Sequence, residues 1–319
     1  MDSITLFDAS SRATAQIAPA LGFNCHSLRL PALGRLVELL DCEPEFGQPQ
    51  SSPSRSGIPL LFPFPNRIRN ARMRWQGREW QIGGTRVDPQ GNAIHGFVLN
   101  RPWRVTRHER DLLIGEFQLG RDAPDVRDQW PADFLIEVAY HLDAGRLRCE
   151  IRILNPCREP LPWGFGTHTY FRIPLAAGGC TGDVLIEAPV SSLWELENSL
   201  PTGRRSRPEP GFDLAEGLTL AGLRLDHVYG GLRCQEGAIE TSVLDPAAGL
   251  RVVQRFGDEF RELVAFTPPH GRSVCLEPYT CTTDAANLQA QGHDAGWETL
   301  APGDQRRLWF EIALEPLVA

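Results

Sequence analysis

Apolar residues recur at every second position in many short segments of this chain. The segment Arg146–Leu154, with the sequence RLRCEIRIL, alternates polar and apolar side chains along almost its whole length. The same alternation runs through 112–119, 134–142, 252–256, 263–267 and 308–314. A period of two is typical of a strand with one buried face and one solvated face. Long stretches with the 3.6-residue period of a helix are nearly absent, so the chain is predicted to fold mainly from strands.

Glycine and proline, 30 and 26 residues respectively, separate these segments along the whole chain. We therefore predict an all-β protein, a large antiparallel β-sandwich of two packed sheets. The loop-like segment 201–217 is interpreted as an excursion within one sandwich, because strand patterns flank it, and residues 1–319 are predicted to form a single domain. Segment 33–40 is apolar enough for a helix, although Gly34 makes a turn between strands equally plausible.

Composition excludes several classes of function. The net charge is −8, whereas a nucleic-acid partner would favour a basic face, so no nucleic acid is expected. No apolar run approaches the roughly 20 residues that span a bilayer, so no membrane partner is expected either. The N-terminal residues show no basic region followed by an apolar stretch, which predicts a cytoplasmic protein without a signal peptide. The chain has no lysine, which excludes a Schiff-base lysine, a pyridoxal phosphate linkage and a Walker A lysine.

The cysteines are interpreted as scattered reduced thiols. None of the eight forms a C-x-x-C pair, and none is grouped with histidines at the spacing of a zinc site. Cys275 and Cys281 flank Glu277, but a packing role for Cys275 in a strand is the preferred interpretation. No metal and no cofactor are expected.

The segment Gly166-Thr167-His168-Thr169-Tyr170-Phe171 holds a histidine between small residues, just before an aromatic pair. Glycines at 164 and 166 permit close approach of the backbone or unusual dihedral angles. His168 is therefore a candidate proton donor or acceptor. Taken alone, a structural histidine whose ring nitrogens are satisfied by the protein is the preferred interpretation.

The segment Leu276-Glu277-Pro278-Tyr279 holds a carboxylate next to proline. Pro278 favours an extended backbone at Glu277, and burial there would raise the pKa of the carboxyl and make it a better base near neutral pH. The alternative is an exposed glutamate at a strand end. A histidine and a carboxylate aimed at one small substrate form a minimal proton-transfer pair, but spacing alone does not bring His168 and Glu277 together.

Three further residues are candidates for binding a substrate. Arg67 alternates with Arg69 at the end of a proline-stiffened run, and one of these arginines is suited to bind hydroxyls or an anionic group. His95 precedes a glycine, and Asp226 follows an apolar residue. The alternatives are solvated arginines, a satisfied core histidine and an ordinary turn aspartate.

Taken together and in this order, these segments resemble the aldose 1-epimerase (galactose mutarotase) family. The resemblance spans most of the chain and rests on the stretch 15–41, then PLLFPFPNRI, IHGF with Trp103 shortly after, NPCREPLPWGFGTHTYF, LDHVY and CLEPYTCTTDAAN. It implies a β-sandwich of the galactose mutarotase type, with a wide open cleft across one sheet. It also implies a small sugar as the substrate and a reaction that needs neither a metal nor a redox cofactor. We expect a monomer or a homodimer.

The resemblance also implies roles for the candidate residues. Glu277 corresponds to the general base that takes the proton from the anomeric hydroxyl, and His168 to the general acid that protonates the ring oxygen. His95, Asp226 and Arg67 correspond to positions that hold the sugar hydroxyls.

The sequence leaves the substrate open between related alternatives. Many galactose mutarotases have Asn-Leu after the Tyr-Phe pair, where this chain has Arg172-Ile173. The segment THTYF is also similar to the hexose-6-phosphate 1-epimerase branch, and the arginines at 67, 69, 72 and 74 are candidates to hold a phosphate. The leading hypothesis is an epimerase of a free hexose. The alternatives are a hexose-6-phosphate 1-epimerase and a sugar-binding module of the same fold without turnover.

Overall fold

The computed structural model of the protein describes residues 2–48 and 51–317. Strands dominate these residues, and antiparallel pairing joins the strands within each sheet, which confirms the predicted all-β fold. In chain order the strands are β1 (Ile4–Phe7), β2 (Thr14–Ala18), β3 (Asn24–Ala32), β4 (Arg35–Glu38), β5 (Leu60–Leu61), β6 (Arg67–Ile68), β7 (Arg72–Trp75), β8 (Arg78–Gln81), β9 (Arg86–Val87), β10 (Ala93–Ile94), β11 (Arg104–His108), β12 (Leu112–Gln118), β13 (Leu135–Asp143), β14 (Arg146–Leu154), β15 (Leu161–Trp163), β16 (Gly166–Thr167), β17 (Tyr170–Arg172), β18 (Leu185–Glu187), β19 (Ser192–Glu197), β20 (Leu200–Ser206), β21 (Leu218–Thr219), β22 (Asp226–Gly230), β23 (Ile239–Asp245), β24 (Leu250–Phe256), β25 (Glu262–Phe266), β26 (Ser273–Tyr279), β27 (Glu298–Leu300) and β28 (Gln305–Pro316).

Helices are few and short in the described part of the chain. The two α-helices are α1 (Leu119–Asp122) and α2 (Ala285–Ala290). Short 3-10 helices lie at Pro53–Arg55, Arg69–Ala71, Pro124–Gln129, Thr181–Asp183 and Leu214–Glu216. None of these helices is long and apolar enough to cross a membrane.

The larger of the two main sheets has nine strands in the order β11-β12-β13-β14-β28-β24-β23-β18-β21. Strand β14 shows why these segments form strands: its residues at 147, 149, 151 and 153 are buried, while the polar residues between them face outward. The outward face carries arginine–glutamate pairs such as Arg152–Glu137, at 3.1 Å. The alternation seen in the sequence thus separates an apolar face from a charged one.

The second main sheet has eight strands, with seven in the order β20-β19-β22-β25-β26-β16-β5 and β17 paired to β26. All seven residues of β26 are buried. Val274 and Leu276 belong to the apolar core. Cys275 and Glu277 face the opposite side of the sheet, because successive side chains of a strand alternate. Aromatic rings pack between the two main sheets. The ring centroid of Phe256 in β24 lies 5.5 Å from that of Phe260, and the centroid of Phe260 lies 6.2 Å from that of Phe165.

Two segments with ambiguous patterns are resolved by the structure. Residues 33 and 34 form the turn between β3 and β4, both with positive φ, so 33–40 contains no helix. The first six residues of 201–217 belong to β20, which pairs with β19, and only the remainder is loop and 3-10 turn. Cross-strand pairing, which composition does not report, places this glycine- and arginine-rich stretch in the sheet.

Candidate active site

His168 lies between β16 and β17, on one face of the eight-stranded sheet. Its backbone N–H donates to the carbonyl of Pro59 at 3.0 Å, which fixes the chain at this point. Two residues earlier, a side chain on Gly166 would begin 2.3 Å from the Tyr279 ring, so only glycine fits this crossing. The ring of Tyr170 stacks on the His168 ring, with centroids 4.6 Å apart, and its hydroxyl lies 3.4 Å from Nε2. Packing therefore holds the imidazole in one orientation.

Glu277 lies in the middle of β26, opposite Val264 of β25, with a side chain that is only 2% exposed. The hydroxyl of Tyr279 donates to Oε2 at 2.5 Å. Burial raises the pKa of Glu277 well above its usual range, and the charge of Asp226 acts in the same direction. The Tyr279 hydrogen bond and the charge of Arg67 lower it by less. A carboxyl held in this way retains its proton to higher pH than an exposed one.

The structure brings the two candidates for proton transfer together. His168 Nδ1 lies 3.2 Å from Glu277 Oε1, within ion-pair distance, although Nδ1 makes no aligned hydrogen bond. Burial lowers the pKa of His168 to about 3, with Arg86 and Arg67 adding to the effect. Burial thus favours a neutral imidazole beside a protonated carboxyl, whereas their proximity favours the ionised pair. Both forms hold one proton between the two groups and carry no net charge.

His95 lies beside this pair. Its ring centroid is 5.5 Å from that of His168, in an edge-to-face arrangement, and the residue is 6% exposed. The backbone adopts a φ of +70°, and a side chain at the next residue, Gly96, would begin 2.1 Å from the carbonyl oxygen of Phe62. Burial, and then the charges of His168, Arg86 and Arg67, hold the pKa of His95 well below its usual range. The ring is therefore neutral and able to form hydrogen bonds.

Arg67 is half-buried rather than solvated. It lies on β6 opposite Ile94, and its Nε donates to Asp88 at 2.9 Å while NH1 donates to Asn66 at 2.9 Å. Its side chain is 19% exposed. Its charge shifts the pKa of both His168 and Glu277, so its guanidinium lies near the pair.

Asp226 begins β22, two strands from β26, and is exposed. Pairing across β25 puts it on the same face as Glu277: Asp226 lies opposite Phe266, which lies opposite Cys275, two residues before Glu277. Its negative charge raises the pKa of Glu277. The five residues singled out in the sequence therefore surround one region of the sheet face.

Several residues of the site were missed at the level of sequence. Tyr279 has a signal in the sequence, because residues two apart in a strand share a face. Arg86 has none, since its place depends on the pairing of β9 with β10, where it lies opposite Ile94. Phe266 presents an edge to His168, with centroids 6.0 Å apart, and its place also depends on strand pairing.

Three side chains of the site have the ligand types of a metal centre. The imidazole of His168, the thiol of Cys275 and the carboxylate of Glu277 have ligand atoms within 4.8 Å of one another. Histidine, cysteine and glutamate are zinc ligands. Two of the three are also the groups placed for proton transfer, so a metal bound there would compete with that chemistry.

The end of the motif around Glu277 has a structural role. Asp284 accepts a hydrogen bond from the backbone of Arg69 at 3.0 Å and one from the side chain of Asn287. Asn287 in turn binds the backbone of Arg72 and Arg74 at 2.9 and 3.0 Å. These contacts hold strand β7 beside α2, so Asp284 and Asn287 stabilise the fold at this point.

Comparison with known proteins identifies the family of this chain. Residues 26–313 match the sequence profile of the aldose 1-epimerase family. This chain belongs to that family. It is 24% identical to the uncharacterised protein YihR of Escherichia coli K12, and the match covers 83% of this chain and 81% of YihR. It is also 27% identical to human galactose mutarotase, over 43% of its own length and 39% of the relative.

Solved structures show the same fold. A galactose mutarotase-like protein from Clostridium acetobutylicum superposes with a TM-score of 0.83 at 22% identity, covering 95% of this chain and 93% of the other. A galactose mutarotase/aldose epimerase homologue from Caenorhabditis elegans superposes with a TM-score of 0.82 at 17% identity, and the match covers 99% of both chains. The predicted galactose mutarotase-like fold is confirmed.

Proposed function

We propose that this protein is an aldose 1-epimerase that interconverts the α and β anomers of a hexose. The observation that carries the proposal is the buried contact between His168 and Glu277, a proton donor and a proton acceptor 3.2 Å apart. A non-catalytic sugar-binding module does not need a buried acid–base pair, because hydroxyls are bound equally well by exposed polar groups.

The proposed reaction needs only proton transfers. Glu277 takes the proton from the anomeric hydroxyl, and His168 gives a proton to the ring oxygen. The bond between C1 and the ring oxygen breaks, the free aldehyde rotates about its C1–C2 bond, and the ring closes on the other face. Closure reverses both transfers. A positioned acid or base typically contributes roughly 10²–10⁴-fold to such a rate.

The environment of the pair fits this cycle. Ring opening starts from ionised Glu277 and protonated His168 and produces the protonated carboxyl and the neutral imidazole. The second state is the one that burial favours for each group. The pair carries no net charge before or after opening, so the protein interior does not have to accommodate a new charge during the step.

The three remaining residues are proposed to hold the sugar. Arg67 offers the guanidinium protons that Asp88 and Asn66 do not occupy. His95 has a buried Nδ1 without a hydrogen-bond partner among the described residues. Asp226 is exposed on the same face and accepts hydrogen bonds from hydroxyls. Orientation by these groups adds to the acid–base contribution.

Polarimetry on freshly dissolved α-D-glucose or α-D-galactose tests the proposal. The protein is expected to accelerate the decay of optical rotation in proportion to its concentration. If no aldose and no aldose phosphate shows acceleration, the proposed function is wrong. Sugar binding without acceleration would support the non-catalytic alternative.

A further inference from the structure

Two arginines beside the proposed site, Arg55 and Arg86, have no carboxylate partner in the part of the chain that the structure describes. NH1 of Arg86 donates to the Ser52 hydroxyl at 2.7 Å and also to the Ser54 hydroxyl. Arg55 directly follows Ser54 and is exposed. Arg86 therefore binds the residue next to Arg55, and partial burial, and then the charge of Arg55, lower the pKa of Arg86. Within residues 2–48 and 51–317, no Asp or Glu oxygen lies within ion-pair distance of either one.

These arginines lie on the His168 side of the site. Arg67, Ile94 and Arg86 are in register across β6, β10 and β9. Arg86 acts on His168 electrostatically, whereas Asp226 acts on Glu277. The site is therefore cationic at one end and anionic at the other.

The segment that carries Arg55 runs along the same end of the site. The carbonyl of Gly57, two residues after Arg55, accepts a hydrogen bond from the backbone of Tyr170 at 2.9 Å. Tyr170 is the residue whose ring stacks on His168, at 4.6 Å. The charge of Arg55 also acts on the Tyr170 hydroxyl. Backbone pairing thus fixes the segment of Arg55 beside the catalytic histidine.

The arginines that the sequence offered for a phosphate are already engaged. Arg67 pairs with Asp88 at 2.9 Å and Arg69 with Asp284 at 3.4 Å. Residues 72 and 74 both lie within 4.0 Å of the carboxylate of Glu79. The unpaired positive charge near the site lies elsewhere, at Arg55 and Arg86.

We propose that Arg55 and Arg86, with the hydroxyls of Ser52 and Ser54, form a subsite for an oxyanion carried by the sugar. The preferred substrates are then aldoses with an acidic group at the carbon farthest from C1, since C1 must lie between His168 and Glu277. Guanidinium groups bind phosphate, sulfonate and carboxylate through paired N–H donors. The hydroxyls of Ser52 and Ser54 bind each other at 2.8 Å, which leaves one hydroxyl proton to donate to an anion. A bound anion also relieves the repulsion between two neighbouring positive charges. The proposal rests on the proposed function.

The test compares glucose with glucose 6-phosphate and glucuronate. Anomer exchange is measured by NMR exchange spectroscopy, with enzyme-free controls because phosphate itself catalyses mutarotation. The wild type is expected to show kcat/KM at least about tenfold higher for one of the acidic sugars, equivalent to about 1.4 kcal/mol. The two acidic substrates distinguish a site for a tetrahedral anion from one for a planar carboxylate.

The Arg55→Ala/Arg86→Ala double variant is expected to lose this preference, measured within each protein as the ratio of kcat/KM for the acidic sugar to kcat/KM for glucose. The matched control is Arg74→Ala, which removes one positive charge from a side chain that is 75% exposed and pairs with Glu79. Equal kcat/KM for neutral and acidic sugars in the wild type would refute the subsite, as would an unchanged preference in the double variant. If no sugar is turned over, the proposed function fails, and calorimetric binding of glucose 6-phosphate against glucose decides the subsite by itself.

Discussion

The substitution Glu277→Gln separates the chemistry of this residue from its packing. Glutamine has nearly the same shape, and its amide oxygen can accept the hydrogen bond that the Tyr279 hydroxyl donates at 2.5 Å. The amide does not take up a proton near neutral pH, so the proposed acceptor is lost. Removing one positioned base is expected to lower kcat/KM for glucose roughly 10²–10⁴-fold. That loss corresponds to about 3–5 kcal/mol of activation free energy.

The same variant is expected to gain stability relative to the wild type as the pH rises. Burial raises the folded-state pKa of Glu277 well above 4.5, so the folded protein holds a proton that the unfolded chain releases above that pH. The free energy of unfolding of the wild type therefore falls by up to about 1.4 kcal/mol per pH unit relative to the variant. The difference stops growing once the pH passes the folded-state pKa. Below pH 4.5 both states of the wild type hold the proton, and the difference is constant.

Urea unfolding at several pH values and polarimetry measure the two effects. Glu262→Gln is the matched control, because Glu262 is a buried glutamate on the neighbouring strand whose pKa burial raises to about 7. It is bound by Trp194 and Arg205 and lies outside the proton-transfer pair, so its substitution is expected to leave turnover largely unchanged. A near-normal rate for Glu277→Gln would refute its role as the base. A stability difference that does not grow with pH would refute a protonated carboxyl in the folded protein.

Four further predictions follow from the same contacts. His168→Asn is expected to lower turnover roughly 10²–10⁴-fold with an unchanged circular dichroism spectrum, and a normal rate would exclude His168 from the reaction. In the wild type, kcat/KM should remain flat well below pH 6.5, because burial lowers the pKa of His168 to about 3; a decline centred at 6.5 would contradict this. Arg67→Ala should mainly raise KM, whereas an unchanged KM would show that Arg67 does not contact the sugar. Zn²⁺ should inhibit turnover reversibly at His168, Cys275 and Glu277, and Cys275→Ala should weaken the inhibition but not basal turnover; equal inhibition of both proteins would argue against this site.

The sequence predicts those strands that have one buried and one solvated face. Strand β14 has the bounds expected from its alternation, Arg146–Leu154, and β13 differs from its expected segment by one residue at each end. Strands that are only two residues long, such as β5, β6 and β10, are too short to show a period. Strand β26 is buried on both faces, so its pattern does not alternate. Pairing between distant segments determines these elements.

The candidate site also combines features that the sequence predicts with features that depend on strand pairing. The apolar residue and the proline that flank Glu277 made it a candidate for a buried carboxyl, and the structure buries it. Its proposed role as the base comes from the family resemblance. Its contact with His168 joins segments 109 positions apart, and the family resemblance, rather than spacing, suggested it. Arg86 was missed because the hairpin register that brings it beside the site has no sequence signal. The chemical character of a single segment can be predicted from its sequence, whereas strand register determines which segments come together in the site.

In the proposed mechanism, burial of the pair allows proton transfer without a permanently charged acid or base. A buried carboxylate or imidazolium alone costs several kcal/mol of desolvation. In the proposed mechanism Glu277 and His168 avoid that cost because one proton serves both groups, whose Oε1 and Nδ1 lie 3.2 Å apart, and Tyr279 donates a hydrogen bond to the other carboxyl oxygen. In the proposed ring opening the substrate accepts one proton and gives one up, so the net charge of the pair is conserved. Burial favours the uncharged form of the pair and the 3.2 Å contact favours the ionised form, and the proposed cycle uses both.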